Sequence, residues 1–412
     1  MELLNFLNTS YTAYHTTDNV CKYLLKQGFK KLVMGEFWKL ETGGKYFVSR
    51  NGSSVIAFKI GKKHSFNICE SHTDSPSLKI KGDKLVSGDI IRLNTETYGG
   101  GLLYTYLDRP LKIAGRVVVQ TANGVEQRLV TSKYNVVIPS LAIHHNPSAN
   151  DSLSLNIQRD MLPLFAQTDT ELYKTLSDGN VLDADLYVVP ATEAFYSGAN
   201  GEFLSSARLD NLTSVYSSVR ALAESKEKCI SVAACLDNEE IGSGTRQGAP
   251  SFIEQVIESI AQALNMTEID IINAKENGMV LSVDNGHAAH PSHLEKADII
   301  NKTLLNCGIV IKHHVNYATD GLSSAIFKKL LSNFGILYQD YYNRSDVRCG
   351  STLGLATSRQ LGMKTCDIGI AELAMHSACE TCGAKDIDIM TAGLKAFLSA
   401  EIDGTESEVV IK

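Results

Sequence analysis

The residues best suited to chemistry in this chain are three acids that follow a strand-like apolar run. Asp237, Glu239 and Glu240 come directly after residues 229–236 and precede a glycine-containing turn. A buried strand that ends on carboxylates places them at the carboxyl edge of a sheet, where open α/β folds hold their ligands. Adjacent glutamates point in different directions, so one can bind a metal while the other acts as a general base. The alternative is a strand that simply ends in a solvated turn.

Similar polar residues stand at other predicted element ends. His72 closes the strand-like stretch 65–71, and Asp74 follows as a carboxylate that can orient the imidazole ring. Asp284 ends a later apolar run, and Asp210 stands at the entrance of an amphipathic helix. Each residue also has a purely structural interpretation, such as a satisfied core histidine or a helix N-cap.

These groups form one site if the strands that carry them are parallel neighbours, because the carboxyl ends of such strands lie side by side. A later loop adds His376 to the set. Nitrogen and oxygen ligands without thiolate suit Zn²⁺, Co²⁺ or Mn²⁺ in a partly open catalytic site. Five ligands do not close the coordination of two metals and leave room for a bridging water. The pattern therefore favours a two-metal hydrolase. The candidate ligands are His72, Asp210, Glu239 or Glu240, Asp284 and His376.

The elements that must position these residues alternate between helix and strand in residues 1–82 and 198–412. This alternation predicts an α/β domain whose mixed, mostly parallel sheet lies between helices. Residues 83–197 change to short strands with glycine turns, which predicts an inserted β-rich domain. A length of 412 residues also exceeds the size at which a single core stops growing, so two domains are expected.

The composition excludes several classes of protein. A net charge of −7 without a basic block argues against nucleic-acid and anionic-membrane partners. Nine scattered cysteines suit reduced thiols in a cytoplasm, and the CxxC pair Cys379 and Cys382 lacks the second pair of a zinc ribbon. No segment approaches membrane-spanning length and no signal pattern is visible, so we expect a cytoplasmic protein.

With these motifs in place, the chain resembles the aspartyl aminopeptidase family of cytosolic dinuclear zinc exopeptidases. The matching blocks occur in order through nearly the whole chain: His72-Thr-Asp-Ser-Pro76, Tyr98-Gly-Gly-Gly101, Asp108-Arg-Pro-Leu111, Ala114-Gly-Arg-Val117, Ser140-Leu-Ala-Ile-His144, Arg208-Leu-Asp-Asn211, Asp237-Asn-Glu-Glu-Ile-Gly-Ser243, Ser282-Val-Asp-Asn285, Tyr317-Ala-Thr-Asp320, Cys349-Gly-Ser-Thr352 and Leu373-Ala-Met-His376.

The resemblance implies a zinc-exopeptidase-like fold and two divalent metal ions per subunit, Zn²⁺ first, with Co²⁺ or Mn²⁺ as substitutes. Asp210 would bridge the two ions. His72 and Asp284 would complete one metal site, and Glu240 and His376 the other.

The resemblance also implies the two catalytic roles. Glu239 would be the general base that takes a proton from the bridging water, and Asp74 would orient His72. The substrates would be peptides with a free N-terminus, preferably Asp or Glu.

Assembly and specificity follow from the same resemblance. The insertion would be a dimerisation domain, the dimers would assemble into a dodecamer, and His144 would reach the neighbouring subunit's site. Lys312, with Tyr317 nearby, would face the substrate's acidic side chain. The open alternatives are a broader or leucine-preferring aminopeptidase, a deacylase on the same scaffold, and an inactive scaffold protein.

Overall fold

The computed structural model describes residues 1–405 and 407–412. In that part of the chain three single turns of 3-10 helix occur at Leu103–Tyr106, Glu239–Ile241 and Leu294–Lys296. The α-helices of the same residues are α1 (Leu3–Thr9), α2 (Ala13–Lys26), α3 (Ile157–Asp160), α4 (Leu172–Leu176), α5 (Leu209–Glu224), α6 (Ser251–Ala263), α7 (Glu268–Glu276), α8 (Gly321–Asn333), α9 (Leu353–Leu361) and α10 (Asp386–Leu398).

The strands of the described residues vary from two-residue pairings to an eleven-residue strand. They are β1 (Lys30–Lys31), β2 (Lys45–Arg50), β3 (Ser54–Lys59), β4 (Phe66–His72), β5 (Ser77–Ile80), β6 (Ile91–Arg92), β7 (Thr95–Tyr98), β8 (Leu111–Thr121), β9 (Gly124–Thr131), β10 (Leu164–Ala166), β11 (Val181–Pro190), β12 (Phe195–Ser197), β13 (Phe203–Ser206), β14 (Ile230–Leu236), β15 (Met279–Val283), β16 (Gly286–His287), β17 (Ile309–His313), β18 (Tyr338–Tyr342), β19 (Thr365–Gly369), β20 (Ala371–Leu373), β21 (Glu380–Gly383), β22 (Ile402–Gly404) and β23 (Val409–Ile411).

The largest sheet has the strand order β1-β2-β3-β14-β4-β15-β19-β17-β18. Its central strands β14, β4, β15 and β19 are mutually parallel, and every residue in them is buried. Strands covered on both faces read as continuous apolar runs, which is why these segments were recognisable in the sequence. The sheet also contains antiparallel pairs on both sides of this centre. The predicted fold class, a mixed and mostly parallel sheet between helices, is confirmed.

Two cores form because side chains of each central strand alternate between the faces of the sheet. On β14, Ala233 and Cys235 pack in the core that also contains Val215 of α5. Val232 on the same strand faces the opposite core, with Val256 of α6. The alternation fixes the strand register, and with it the edge at which each strand ends.

A second sheet, ordered β7-β5-β11-β8-β9, is antiparallel and has its own buried core. Its strand β5 lies within residues 1–82, which were predicted to belong to the α/β domain, yet it pairs with β11. The domain boundary at residue 83 stays a prediction. Within residues 85–93 only Ile91–Arg92 forms a regular strand, with an isolated bridge at Val86. Gly88 and Asp89 lie in an irregular bend between them, as expected of residues that disfavour strands.

A third, smaller sheet is ordered β12-β13-β21-β20-β16. A loop connects its strands β20 and β21. Two of its strands follow directly from the large sheet, since β16 comes after β15 and β20 after β19. Among residues 1–405 and 407–412, no helix combines the length and apolar character needed to cross a membrane.

Candidate metal centre

The predicted site residues stand where the central parallel strands end. His72 is the last residue of β4, and Asp284 directly follows β15. Glu239 and Glu240 form the 3-10 turn after β14, where Asn238 adopts a left-handed conformation that turns the chain away from the strand. This is the convergence that the sequence pattern predicted.

Two further residues approach the same edge from outside the large sheet. Asp210 lies at the start of α5, and His376 lies in the loop between β20 and β21. The N-cap alternative for Asp210 was wrong, because no side chain makes a capping hydrogen bond at the start of α5, where the backbone of Asp210 and Asn211 is itself non-helical.

The six atoms that face one another form two groups of three. In the first group, Nε2 of His72 lies 3.4 Å from Oδ1 of Asp210 and 3.6 Å from Oδ1 of Asp284. In the second, Nε2 of His376 lies 3.2 Å from Oδ2 of Asp210 and 3.3 Å from Oε1 of Glu240. Asp210 thus offers a different oxygen to each group, as a carboxylate that bridges two ions does.

These separations fit a metal ion at the centre of each group. Zinc bonds of about 2.0–2.2 Å in tetrahedral geometry place neighbouring ligand atoms about 3.3–3.6 Å apart. Oδ1 of Asp210 and Oε1 of Glu240 are buried and have no hydrogen-bond partner in the described part of the chain. A buried carboxylate oxygen is costly unless something pairs with it, and a cation would do so. A different trio, His72 with Glu239 and Glu240, also lies within ligand range.

The ionisation of these groups shows how strongly they interact. Burial alone would lower the pKa of His376, but its contacts with Asp210 and Glu240 outweigh burial and raise it to about 12. The same holds for His72: burial disfavours the protonated imidazole, but the facing carboxylates favour it and raise its pKa. The same contacts lower the pKa of Asp210 against the effect of burial. Without an ion, the protonated imidazoles therefore pair with the carboxylates. A metal ion that binds here must displace those protons.

Glu239 lines the same cavity but, unlike Glu240, has no histidine nitrogen within 4 Å of its carboxylate in the described part of the chain. Burial raises its pKa to about 8, against the charge of His72, and the charges of Asp284 and Glu240 act in the same direction as burial. A carboxyl group that titrates close to neutral pH can take up and return a proton during a reaction.

Both histidines are oriented by backbone carbonyls. Nδ1 of His376 donates to the carbonyl of Gly100 at 3.1 Å, and Nδ1 of His72 donates to the carbonyl of Asp74 at 3.1 Å. The carboxylate of Asp74, which the sequence suggested as the partner, is slightly farther from Nδ1 at 3.4 Å. In both cases Nε2 is directed at the candidate metal positions.

The carboxylate of Asp74 has a second set of contacts that the sequence did not predict. It accepts hydrogen bonds from the backbone N–H groups of Glu239 and Glu240, both at 3.2 Å. The hydroxyl of Tyr98 donates to it at 2.7 Å and accepts from the side chain of Asn238 at 2.9 Å. Asp74 therefore fixes the glutamate turn as well as the histidine, and Tyr98 holds Asp74.

Replacing Tyr98 by Phe should weaken zinc binding about tenfold, within the range of about 10–100-fold typical for residues that orient ligands. The ring stays in place, but Asp74 loses its donor and the glutamate turn loosens. Competition with a fluorescent chelator measures the change. Tyr187→Phe is the matched control, because that ring packs on Tyr98 with centroids 5.5 Å apart and no hydrogen bond of its hydroxyl is seen among the described residues. Equal zinc affinities in both variants would contradict the role of the Tyr98 hydroxyl.

Glu380 connects the two remaining ligands and was also missed. Its buried carboxylate accepts the N–H of Asp210 at 3.1 Å and the N–H of His376 at 2.6 Å. The available signal was its position four residues after His376, just beyond the recognised motif. The glycines of Tyr98-Gly-Gly-Gly101 allow a close approach to the site: Gly99 has φ +71°, and a Cβ there would lie 3.1 Å from Glu240.

The candidate ligands open into a cavity of about 470 Å³. Lys312 and Tyr317, predicted to contact the substrate, both line it. Lys312 is only 2% exposed; its Nζ lies 3.6 Å from Oδ2 of Asp284 and 5.6 Å from the centre of the Tyr317 ring. His287 and Arg348 also line the cavity and were not selected from the sequence.

His144 is not brought to this cavity in its own chain. It lies in an exposed, irregular segment of residues 83–197, the predicted insertion, and is absent from the cavity lining. A contribution to a neighbouring subunit stays a prediction. Cys379 and Cys382 carry free thiols and belong to none of the candidate ligand groups found in residues 1–405 and 407–412.

Comparisons with known proteins agree with this geometry. The family described as aminopeptidase I zinc metalloprotease (M18) matches residues 6–179 and 170–398. The chain is 38% identical to the probable M18 family aminopeptidase 2 of Clostridium novyi, covering 96% of each chain. It is similar to a chain in the Ape4 and Nbr1 complex, with 33% identity, a TM-score of 0.91, and coverage of 96% of this chain and 84% of that one. The S. cerevisiae mApe1 dodecamer gives 25% identity and a TM-score of 0.82 over 96% and 94%. The chain therefore belongs to the M18 family of zinc metalloprotease aminopeptidases, which includes the aspartyl aminopeptidases that it was found to resemble.

Proposed function

We propose that this protein is a dinuclear metallo-aminopeptidase that removes the N-terminal residue from peptides, preferably Asp or Glu. The observation that carries the proposal is the pair of ligand groups that share Asp210, with the carboxyl of Glu239 in the same cavity. His72 and Asp284 would hold one ion, and Glu240 and His376 the other.

The bound ions, Zn²⁺ by family with Co²⁺ or Mn²⁺ as substitutes, would polarise the peptide carbonyl and make water more acidic. Glu239 accepts the proton from the attacking water and delivers it to the leaving amine nitrogen. The hydrogen bond that the backbone N–H of Glu239 donates to the carboxylate of Asp74 holds the turn that carries Glu239.

The preference for acidic residues is supported by the charge balance of the cavity. Its four lining carboxylates would be offset by two divalent ions, which leaves the positive charges of Lys312 and Arg348. Lys312 lies deepest, beside Asp284, and is the proposed partner of the N-terminal side chain. One observation favours the alternative of a broader or leucine-preferring aminopeptidase: Nζ of Lys312 already faces a carboxylate at 3.6 Å.

The assembly proposal rests on the insertion. Leu141 is 69% exposed and Ile143 is 49% exposed beside His144, which is the kind of apolar surface that subunit contacts cover. We propose a homo-oligomer in which residues 83–197 form the dimer contact, dimers assemble into a dodecamer, and His144 enters the neighbouring site. The nine cysteines all lie in the described residues and form no disulfide, which supports the expected cytoplasmic setting.

The test of function is the release of the N-terminal residue from otherwise identical peptides led by Asp, Glu or Leu. Asp and Glu should be released at least about tenfold faster than Leu, since a charged hydrogen bond contributes about 1.5–3 kcal/mol. Chelation should abolish release, and Zn²⁺ or Co²⁺ should restore it. Lys312→Ala should reduce the Asp-to-Leu ratio, whereas Lys329→Ala, an exposed lysine on α8, should preserve it.

The remaining outcomes separate the alternatives. Release of Leu alone would retain the metal chemistry and reject the acidic preference. Release that survives complete removal of metal would reject the metallopeptidase proposal. A protein that releases nothing with any metal would agree with the scaffold alternative.

A further inference from the structure

Arg348 is a positively charged residue of the cavity lining whose guanidinium has no ion-pair partner in the described part of the chain. Its side chain is exposed and lines the cavity, and within residues 1–405 and 407–412 no group hydrogen-bonds or ion-pairs with it. The neighbouring arginine is different: Arg344 is ion-paired with Asp346 at 2.5 Å and donates to the carbonyl of Glu295 at 2.5 Å. An unpaired guanidinium beside a substrate cavity is available for an incoming anion.

The residues on both sides of Arg348 are held by hydrogen bonds, whereas its own side chain makes none in residues 1–405 and 407–412. The side chain of Asn343 donates to the carbonyl of Val347 at 2.6 Å. The thiol of Cys349 donates to the hydroxyl of Tyr317 at 3.3 Å. The guanidinium is therefore presented from a held position, which reduces the ordering cost of binding.

The two cavity cations lie at different depths. Lys312 is 2% exposed and stands beside the candidate ligand Asp284, whereas Arg348 is exposed to solvent. A peptide whose first carbonyl lies at the ligands must extend from there toward the open side of the cavity. The first side chain then lies nearer Lys312, and the part of the peptide that leaves lies nearer Arg348.

We propose that Arg348 binds a carboxylate on the leaving part of the substrate. This inference rests on the proposed peptidase function and deepens it. The carboxylate has two possible sources, the C-terminus of a dipeptide or an acidic side chain at the second position. In either case the planar guanidinium matches both carboxylate oxygens, which a lysine cannot do.

The experiment uses the full-length, zinc-loaded protein and two matched substrate pairs with the same first residue. Asp-Ala is compared with Asp-Ala amide for the C-terminal source, and Asp-Glu amide with Asp-Gln amide for the side-chain source. The wild type should prefer the carboxylate member of at least one pair. Arg348→Gln should reduce that preference in kcat/KM about tenfold, mainly through KM, because binding contacts far from the reacting atoms act uniformly.

Two further variants complete the design. Arg348→Lys retains the positive charge but not the planar guanidinium that contacts both carboxylate oxygens. Its ratio of kcat/KM values within the substrate pair should be intermediate. Arg359→Gln removes an exposed arginine of α9 that does not line the cavity and should leave both ratios unchanged. The pair that loses its preference identifies the source of the carboxylate.

The contrary outcomes are distinguishable. Hydrolysis with both ratios unchanged in Arg348→Gln, at wild-type zinc content and melting temperature, overturns the inference and leaves the proposed function standing. No hydrolysis of any of the four peptides by the zinc-loaded wild type overturns the proposed function and the inference with it.

Discussion

Glu239→Gln should lower kcat by about 10²-fold or more while zinc content stays at the wild-type value. The substitution keeps the size of the side chain but removes its ability to accept a proton, and general bases contribute about 10²–10⁴-fold. A loss of 10²-fold corresponds to about 2.7 kcal/mol of transition-state stabilisation. Steady-state kinetics on an Asp-led peptide, together with metal analysis of the same sample, measure both quantities.

The metal analysis matters because Glu239 could instead be a ligand. His72, Glu239 and Glu240 lie within ligand range of one another, so the geometry permits that trio as well. A fall in zinc that accompanies the fall in kcat would assign Glu239 to the metal rather than to proton transfer. Glu258→Gln, an exposed glutamate on α6, is the matched control and should change neither quantity. Activity of Glu239→Gln above a tenth of wild type would sink the general-base role.

The pH profile gives an independent check on the same carboxyl. Burial raises the pKa of Glu239 to about 8 in the absence of ions, and bound cations would lower it again by favouring the carboxylate. The base form is therefore gained as pH rises. In the zinc-loaded wild type we expect the acid limb of kcat/KM to lie below pH 8, and in Glu239→Gln that limb should disappear.

The convergence of the candidate residues could be predicted from the sequence because it follows from local features of each strand. A buried strand is a recognisable apolar run, its end is marked by the first charged residue, and parallel neighbours end at one edge. His72, Glu240 and Asp284 could be placed in this way, and the structure brings them together with Asp210 and His376. Their assignment to particular ions came from the family resemblance and stays a proposal.

The parts that sequence reasoning missed are contacts between distant segments. Tyr98 ends β7 of the second sheet, yet its hydroxyl holds Asp74, which follows β4 of the first. Glu380 supports Asp210 from a residue 170 positions away. No periodicity or spacing in one chain encodes such a pairing, because each partner also satisfies its local environment. The same is true of Arg348, whose neighbours are fixed by Asn343 and Tyr317.

These contacts give the second sheet a role in the site. Tyr98 reaches Asp74, and the turn that follows brings Gly99 against Glu240 and the carbonyl of Gly100 to His376. The turn therefore contacts both of the candidate ligands, Glu240 and His376, that complete the second group. A change in the insertion that shifted this turn would alter metal binding without touching a ligand.

Asp210→Asn should have the largest effect on metal content. Asp210 alone gives an oxygen to each ligand group, at 3.4 Å from His72 and 3.2 Å from His376. An amide keeps the shape but has one acceptor oxygen and no charge, so it cannot serve two cations. Zinc should fall from two ions per chain to below one, and activity should fall by more than about 10²-fold, at least as far as in the loss of the general base.

Asp284→Asn separates this bridging role from that of an ordinary ligand. Asp284 faces only the first group, so its variant should retain about one ion, held by the second group. Asp388→Asn, at a side chain that is 82% exposed, should retain both ions. Equal zinc losses in Asp210→Asn and Asp284→Asn would show that the two groups are not linked through Asp210.

Metal loss should also lower thermal stability, because metal binding is linked to folding. An ion at about 1,000 times its Kd adds about 4 kcal/mol to the stability of the folded state. Chelation should therefore lower the melting temperature of the wild type strongly, that of Asp284→Asn less, and that of Asp210→Asn hardly at all. The order distinguishes a site built around one shared carboxylate from two sites that fill independently, since independent sites would leave Asp210→Asn with half of the wild-type response.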